Sequence, residues 1–202
     1  MPIYHCNPWD FYKPFLKKDA ERILVLCDHN TVARVMRTCP CPISTFPNDI
    51  LQVQYRNFID YYEAYLFEGQ VLTVSENVDF SLKEMLESGL YPTEREIAYI
   101  IGQILAGICF IKSRNVGDST ISGRTVRISR EGKVKIDPTL DIIDGEGSSA
   151  DVSSLRPLIL SMMNETQETL EATGVRAWSH EVIDFLEATS WATAEELLDV
   201  RI

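Results

Sequence analysis

Basic residues are scarce in this chain. Nineteen Lys and Arg stand against 30 Asp and Glu, a formal net charge of −11 over 202 residues. A chain of that sign repels a phosphate backbone, so nucleic-acid binding, which needs a basic footprint, is not expected. A basic protein surface is the more natural partner. The opening MPIYHCNPWDFYKPF has no basic stretch followed by an apolar run ending in small residues, so no secretory signal is read. The expected location is intracellular, cytoplasmic or nuclear. Long hydrophobic runs are lacking too: the longest, Ala98 to Ile111, contains Gln103 and is too short to span a bilayer, which fits a buried core helix and no membrane role.

Cysteine is present but not in a framework. The five cysteines, Cys6, Cys27, Cys39, Cys41 and Cys109, are odd in number and irregularly spaced, unlike a disulfide scaffold, and a reducing compartment suits them. Cys39-Pro40-Cys41 with His5, Cys6 and His29 matches none of the usual Cys-x2-4-Cys zinc spacings, which leaves free loop thiols as the plainer reading. No metal and no cofactor is expected. His5, His29 and His180 are scattered, and no Ser-His-Asp or Cys-His constellation is visible.

What is there is a chain with 45% hydrophobic residues, enough to bury a core in one domain or two small lobes. Arg22 to Cys27 and Thr31 to Met36 are β-branched-rich runs around Asp28-His29-Asn30, a hairpin pattern, and Phe58 to Phe67 with Val71 to Ser75 around Glu68-Gly69 reads as a second. A short helix from about Asn48 is expected between them. Then the period changes. Ser81 opens a short helix through Glu87, and Thr93 with Glu96 forms a capping box before a long helix. Its apolar positions Ile97, Ile100, Ile101, Ile104, Leu105, Ile108 and Ile111 keep the i, i+3, i+4, i+7 rhythm of a core helix. Thr125 to Ser129 and Lys133 to Ile136 form a third hairpin around Glu131-Gly132. Asp151 to Met163, Ser179 to Ala188 and Thr193 to Val200 read as helices, with a wet acidic helical stretch around Glu165 to Glu171. Strands first and helices after describe an α+β protein of two lobes. Residues 1–20 lack period-2 alternation, which favours irregular or helical structure. Trp9, Trp178 and Trp191 are expected to be buried rather than to anchor a partner.

The order of these pieces resembles a protein kinase. Pro47-Asn-Asp-Ile-Leu, Asn57-Phe-Ile-Asp-Tyr-Tyr-Glu-Ala-Tyr-Leu, Gln70-Val-Leu-Thr-Val-Ser-Glu and Asp79-Phe-Ser-Leu-Lys-Glu-Met-Leu look like the regulatory helix, fourth and fifth strands and hinge of sterile-twenty-like serine/threonine kinases. The helix ending Ile111-Lys-Ser-Arg-Asn-Val116, the strand Glu131-Gly-Lys-Val-Lys-Ile136, the helix start Asp151-Val-Ser-Ser-Leu155 and the last two helices continue the likeness. The resemblance implies a two-lobed kinase-like fold with a reduced β-rich N-lobe over residues 1–79, of which 1–20 are an unassigned extension, and a shortened helical C-lobe over 80–202. It also implies that Asp151 is buried and bonded to the loop that corresponds to the catalytic one.

The departures from the family decide the expected function. A kinase positions ATP with a Gly-rich loop and a strand Lys, holds magnesium with an Asp and an Asn, and orients the substrate hydroxyl with a catalytic-loop Asp. This chain has no G-x-G-x-x-G, and Val32-Ala-Arg-Val35 puts Val35 at the Lys position. A gapless register places Thr120 on the catalytic Asp, Thr125 on the metal-binding Asn and Pro138 on the metal-binding Asp; deleting one strand residue brings Asp137 there instead. The same register sets Arg127 under the adenine position, where it either blocks the pocket or turns outward. Thr139 to Ala150 is too short for a full activation loop. The resemblance thus implies a pseudokinase that binds a partner, an active kinase among the candidates. The alternative is a small-molecule or non-kinase catalytic site in the cleft between lobes, lined by Ala33, Glu76, Asp118, Arg127 and Asp137. A filled cleft favours the first and an open polar one the second. Asp118 and Asp137 could serve as an acid/base pair, though solvated loop carboxylates are the plainer reading.

Overall fold

The computed structural model describes residues 1–27, 30–39, 54–114, 121–138, 152–164 and 178–200. β-branched and aromatic runs punctuated by tight turns build its first part. They form β1 (Ile3–Tyr4), β2 (Tyr12–Lys17), β3 (Arg22–Cys27), β4 (Asn30–Cys39), β5 (Tyr61–Phe67) and β6 (Gln70–Glu76), joined as one six-stranded sheet in the order β1-β5-β6-β4-β3-β2. β1 lies parallel to β5 and every other neighbouring pair is antiparallel. Glu68 and Gly69 both have positive φ, 51° and 75°, the backbone that lets a two-residue turn follow the twist of its strands. Tyr12, Val25, Met36, Tyr65, Leu72 and Val74 pack together on one face of the sheet.

The first 20 residues correct the sequence expectation of irregular or helical structure. They supply β1, a single 3-10 turn at Pro8–Asp10 capped by Asn7, and β2, an edge strand. Alternation is weak there because only Tyr12 of β2 is buried, so the strand owes its form to backbone pairing with β3. Cys39 is another correction: it is the buried last residue of β4, its Sγ 3.9 Å from the Thr73 hydroxyl, and not a loop thiol.

The second part is helical around a small sheet of β7 (Phe80–Ser81), β8 (Val126–Ile128) and β9 (Val134–Ile136). Its helices are α1 (Leu82–Glu87), α2 (Glu94–Arg114), α3 (Leu155–Met162), α4 (His180–Ala188) and α5 (Ala194–Asp199), with a 3-10 turn at Val152–Ser154 ahead of α3. Reciprocal capping boxes start α1 (Ser81 with Glu84) and α5 (Thr193 with Glu196), satisfying amides that would otherwise be orphaned. By length and composition alone α2 could cross a membrane. Here Ile97, Ile100, Ile101, Ile104, Leu105, Ile108 and Ile111 of α2 are buried in the main core with Phe58, Ile136, Leu155, Ile159 and Phe185. Gly107 lets β9 come close: a Cβ there would stand 2.7 Å from Ile136 Cδ1.

Segment 57–60 ties the two sheets together. Ile136 N donates to the Asn57 carbonyl at 2.7 Å and Ile59 N to the Ile136 carbonyl at 3.0 Å. The Asn57 side chain donates to Gln103 Oε1 at 2.9 Å, which gives the polar residue of the apolar helix its buried partner. The whole is a mixed α+β arrangement, sheet-rich at the N-terminal end and helical after it, compatible with a kinase-like fold. Trp191 is 76% exposed and Trp9 lies at the surface, against the expected burial, whereas Trp178 packs against the main core. The expected helix from Asn48, the acidic stretch of Glu165 to Glu171, and Asp151 lie outside the described residues.

Candidate functional site

Where β9 ends, the backbone N–H of Asp137 donates to the Thr125 carbonyl at 2.8 Å, which turns the Asp137 side chain under the six-stranded sheet. Asp137 is 1% exposed. One carboxylate oxygen stands 2.9 Å from Arg37 Nη2 and the other accepts from the Tyr61 hydroxyl at 2.7 Å. Arg37 sits on β4 opposite Thr73 of β6, and it too is buried. Burial works against the charged guanidinium, but the Asp137 carboxylate outweighs it and holds Arg37 above its ordinary range. Asp137 is therefore no solvated loop carboxylate; burial among cations and a phenol has overturned that expectation.

Beside this pair the segment after β6 is closed off by other side chains. Glu76 accepts from the Asp60 N–H at 2.8 Å and from Lys135 Nζ, which also lies 3.3 Å from Asp60 Oδ2. Lys135 and Arg127 face each other across β9 and β8, and Arg127, 4% exposed, donates from Nη2 to the Val78 carbonyl at 3.4 Å. Lys18, just past β2, reaches across to Asn77 Oδ1 at 3.1 Å and to the Asp79 carbonyl at 3.4 Å. Burial, then the charges of Arg127 and Arg22, pull the Lys18 ammonium below its usual range. At the rim Arg22 bridges Asp19 and, at 3.1 Å, Glu84 of α1, next to a cavity of about 320 Å³.

Of the residues expected to line one cleft, Arg127, Glu76 and Asp137 come together here. Ala33 stands on β4 opposite Leu26, at an i, i+2, i+4 spacing with Val35 and Arg37. Asp118 and Thr120 lie outside the described residues. Thr125 is fully buried, its hydroxyl accepting from the Ser122 N–H at 2.8 Å, and Pro138 is buried as well. Val35 is buried against the sheet and the residue that meets Asp137 is Arg37, two positions on. The sequence reading missed Arg37, Tyr61 and Lys135. Strand alternation carried the signal for Arg37, since positions two apart share a face. Arg127 resolves the alternative left open in the sequence: it turns inward. Among the described residues no group of three His, Cys, Asp or Glu is placed to hold a metal.

No family model matches the chain. A probable serine/threonine-protein kinase of Dictyostelium discoideum is 29% identical over 92 residues, 41% of this chain and 8% of that kinase. The match points to a kinase-like relationship, and the chain spans a small fraction of that relative's length.

Proposed function

We propose that this chain is a catalytically inactive kinase-like module, related to the sterile-twenty-like group, that acts by binding protein partners. The observation that carries the reading is the Asp137 carboxylate with both oxygens engaged, by Arg37 and by Tyr61. In a kinase the corresponding Asp holds magnesium, the Lys of the third strand holds the phosphates, and a Gly-rich loop covers them. On this reading Asp137 occupies the metal-binding position and Arg37, on the third strand of the β2-β3-β4 meander, the lysine position. The Lys18–Glu21 turn between β2 and β3 stands where the Gly-rich loop would be. A guanidinium clamped on the aspartate takes the place of the metal. Arg127 under the Val78 carbonyl and Lys18 on the Asp79 carbonyl occupy the hinge that an adenine would need.

A binding role has its own support. The net charge of −11 favours a basic partner, and Phe15 and Leu16 on the edge strand β2 are 51% and 54% exposed, apolar surface of a kind that marks contact sites. The test is a calorimetric titration with ATP and ADP, with and without Mg²⁺, together with a phosphoryl-transfer assay. The expected result is no magnesium-dependent binding and no transfer. A magnesium-dependent heat of binding would mean that Asp137 is free to take the metal, and the reading fails.

A further inference from the structure

We propose that the cavity between the Lys18–Glu21 turn and the start of α1 is a metal-independent site for a small phosphate-class anion, with Arg127 as its buried cation. The inference rests on the reading of the cleft as closed to magnesium–nucleotide and goes on to say what the remaining space holds. The cavity measures about 320 Å³ and is lined by Asp19, Arg22, Lys83, Glu84, Arg124 and Arg127 among others, at the small end of the roughly 300–1,000 Å³ usual for ligand sites.

The distribution of partners singles out Arg127. Arg37 is matched by Asp137, Lys135 by Asp60 and Glu76, and Arg22 by Asp19 and Glu84. Arg127 is 4% exposed, yet among the described residues no carboxylate lies within ion-pair distance of it, and its neutral contact with the Val78 carbonyl is a long 3.4 Å. A buried charge without a counter-charge is costly. Burial, followed by the nearby Arg22 charge, pulls the Arg127 guanidinium below its usual range, so an anion there would relieve both. Arg22, which also lines this cavity, adds a second observation: its Nη1 is buried and has no hydrogen-bond partner among the described residues.

The lining carries four cations, Arg22, Lys83, Arg124 and Arg127, against three carboxylates, Asp19, Glu21 and Glu84, an excess of one positive charge. Asp19 and Glu84 are occupied by Arg22 and by backbone N–H groups, Asp19 by those of Glu21 and Arg22, Glu84 by that of Ser81. Lys83 and Arg124 stand at the mouth with exposed positions. Guanidinium groups match the oxygens of a phosphate in a fork geometry that a lone ammonium does not. Arg22 belongs to the six-stranded sheet, while Lys83, Arg124 and Arg127 belong to the helical part. An anion between them would cross-link the two, and its binding should be read as stabilisation of the whole chain. At a net charge of −11 diffuse anion binding is disfavoured, so a saturable response reports a site.

The experiment is a thermal-shift and calorimetric titration of the full chain with sodium pyrophosphate at constant ionic strength in EDTA. The variants are Arg127→Met and the exposed control Arg130→Gln. Saturable binding, weakened at least tenfold by Arg127→Met and unchanged by Arg130→Gln, is expected. Arg124→Gln, at the mouth, should weaken binding severalfold, and it carries the test if Arg127→Met does not fold. ADP in EDTA separates the sources of the anion: tighter binding than pyrophosphate points to a nucleotide ligand, and equal binding to a phosphate group alone. No saturable binding, binding only with Mg²⁺, or affinity unchanged in Arg124→Gln and in a folded Arg127→Met overturns the proposal. Failure here leaves the magnesium test of the inactive-kinase reading untouched.

Discussion

Replacing Arg37 with Met removes the cation but leaves the Asp137 carboxylate in place, 1% exposed and still accepting from the Tyr61 hydroxyl. Breaking a buried ion pair from one side costs roughly 3–5 kcal/mol, because an uncompensated charge stays behind. Asp137→Leu should cost a similar amount by taking its carboxylate from the buried Arg37. The double variant Arg37→Met/Asp137→Leu leaves neither charge facing a lost partner, so its loss should be no larger than one single loss and well below their sum, a coupling of about 3 kcal/mol or more. Urea unfolding reads this directly. With a slope of roughly 1–3 kcal/mol per molar urea, a 3 kcal/mol loss moves the midpoint by about 1–3 M, against a total stability of about 5–15 kcal/mol. Single losses below about 1 kcal/mol with no coupling, the behaviour of a solvent-exposed pair, would refute the buried clamp and with it the claim that Asp137 is unavailable to a metal.

Other perturbations follow from the same contacts. Gly107→Val should destabilise by about 1–3 kcal/mol, the range for overpacking, since even a Cβ meets Ile136 at 2.7 Å; a melt at or above the parent temperature would contradict that approach. In Glu84, burial raises the carboxyl pKa but is outweighed by the Ser81 amide, the Ser81 hydroxyl and Arg22, leaving it below its ordinary value. A depressed folded pKa gives stability that is present above the unfolded value, about 4.3, and is lost as pH falls through the folded one. Ser81→Ala should therefore cost about 1 kcal/mol at neutral pH and flatten the loss in acid, which unfolding curves at stepwise lower pH will show or deny. Tyr65 is shifted the other way, by burial and then by the Glu63 charge, so its stabilisation is complete below about pH 10 and declines above it. Alkaline titration of phenolate absorbance in Glu63→Gln should show one or more tyrosines ionising at lower pH than in the parent.

Legibility in the sequence followed the physics of each element. Turns and helix starts are local chemistry, so the Glu68-Gly69 turn and the helices opening at Ser81 and Thr193 could be read directly, and each starts or joins an element at the expected place. The helical period of α2 was equally plain because its burial is one-sided. β2 was hidden because an edge strand with little burial leaves no alternation to read. The site was half legible. The likeness to kinase motifs points to Val35 and Pro138, whereas partners so far apart in sequence as Arg37 and Asp137, or Glu76 and Lys135, meet only through the packing of the two sheets. Alternation could point to Arg37 as a position, but no local pattern could announce these pairings.

The charges of the cleft support one more step. A site that manages a phosphoryl group and a metal must keep its own charges uncompensated until the ligand arrives, because the ligand is their counter-charge. Here, Arg127 apart, the charges compensate one another: Arg37 with Asp137, Lys135 with Glu76 and Asp60, Arg22 with Asp19 and Glu84. On the inactive-kinase reading such self-pairing makes each group part of the fold's stability, so placing a lysine at Arg37 is not expected to create a nucleotide site. Arg37→Lys keeps the positive charge but loses the guanidinium whose Nη2 reaches Asp137, and it leaves Lys18 and Arg127 on the Asp79 and Val78 carbonyls. The expected outcome is a less stable protein that still binds no magnesium–ATP; a gain of magnesium-dependent binding in that single variant would mean that the cleft is one residue from function and that the other pairs are incidental.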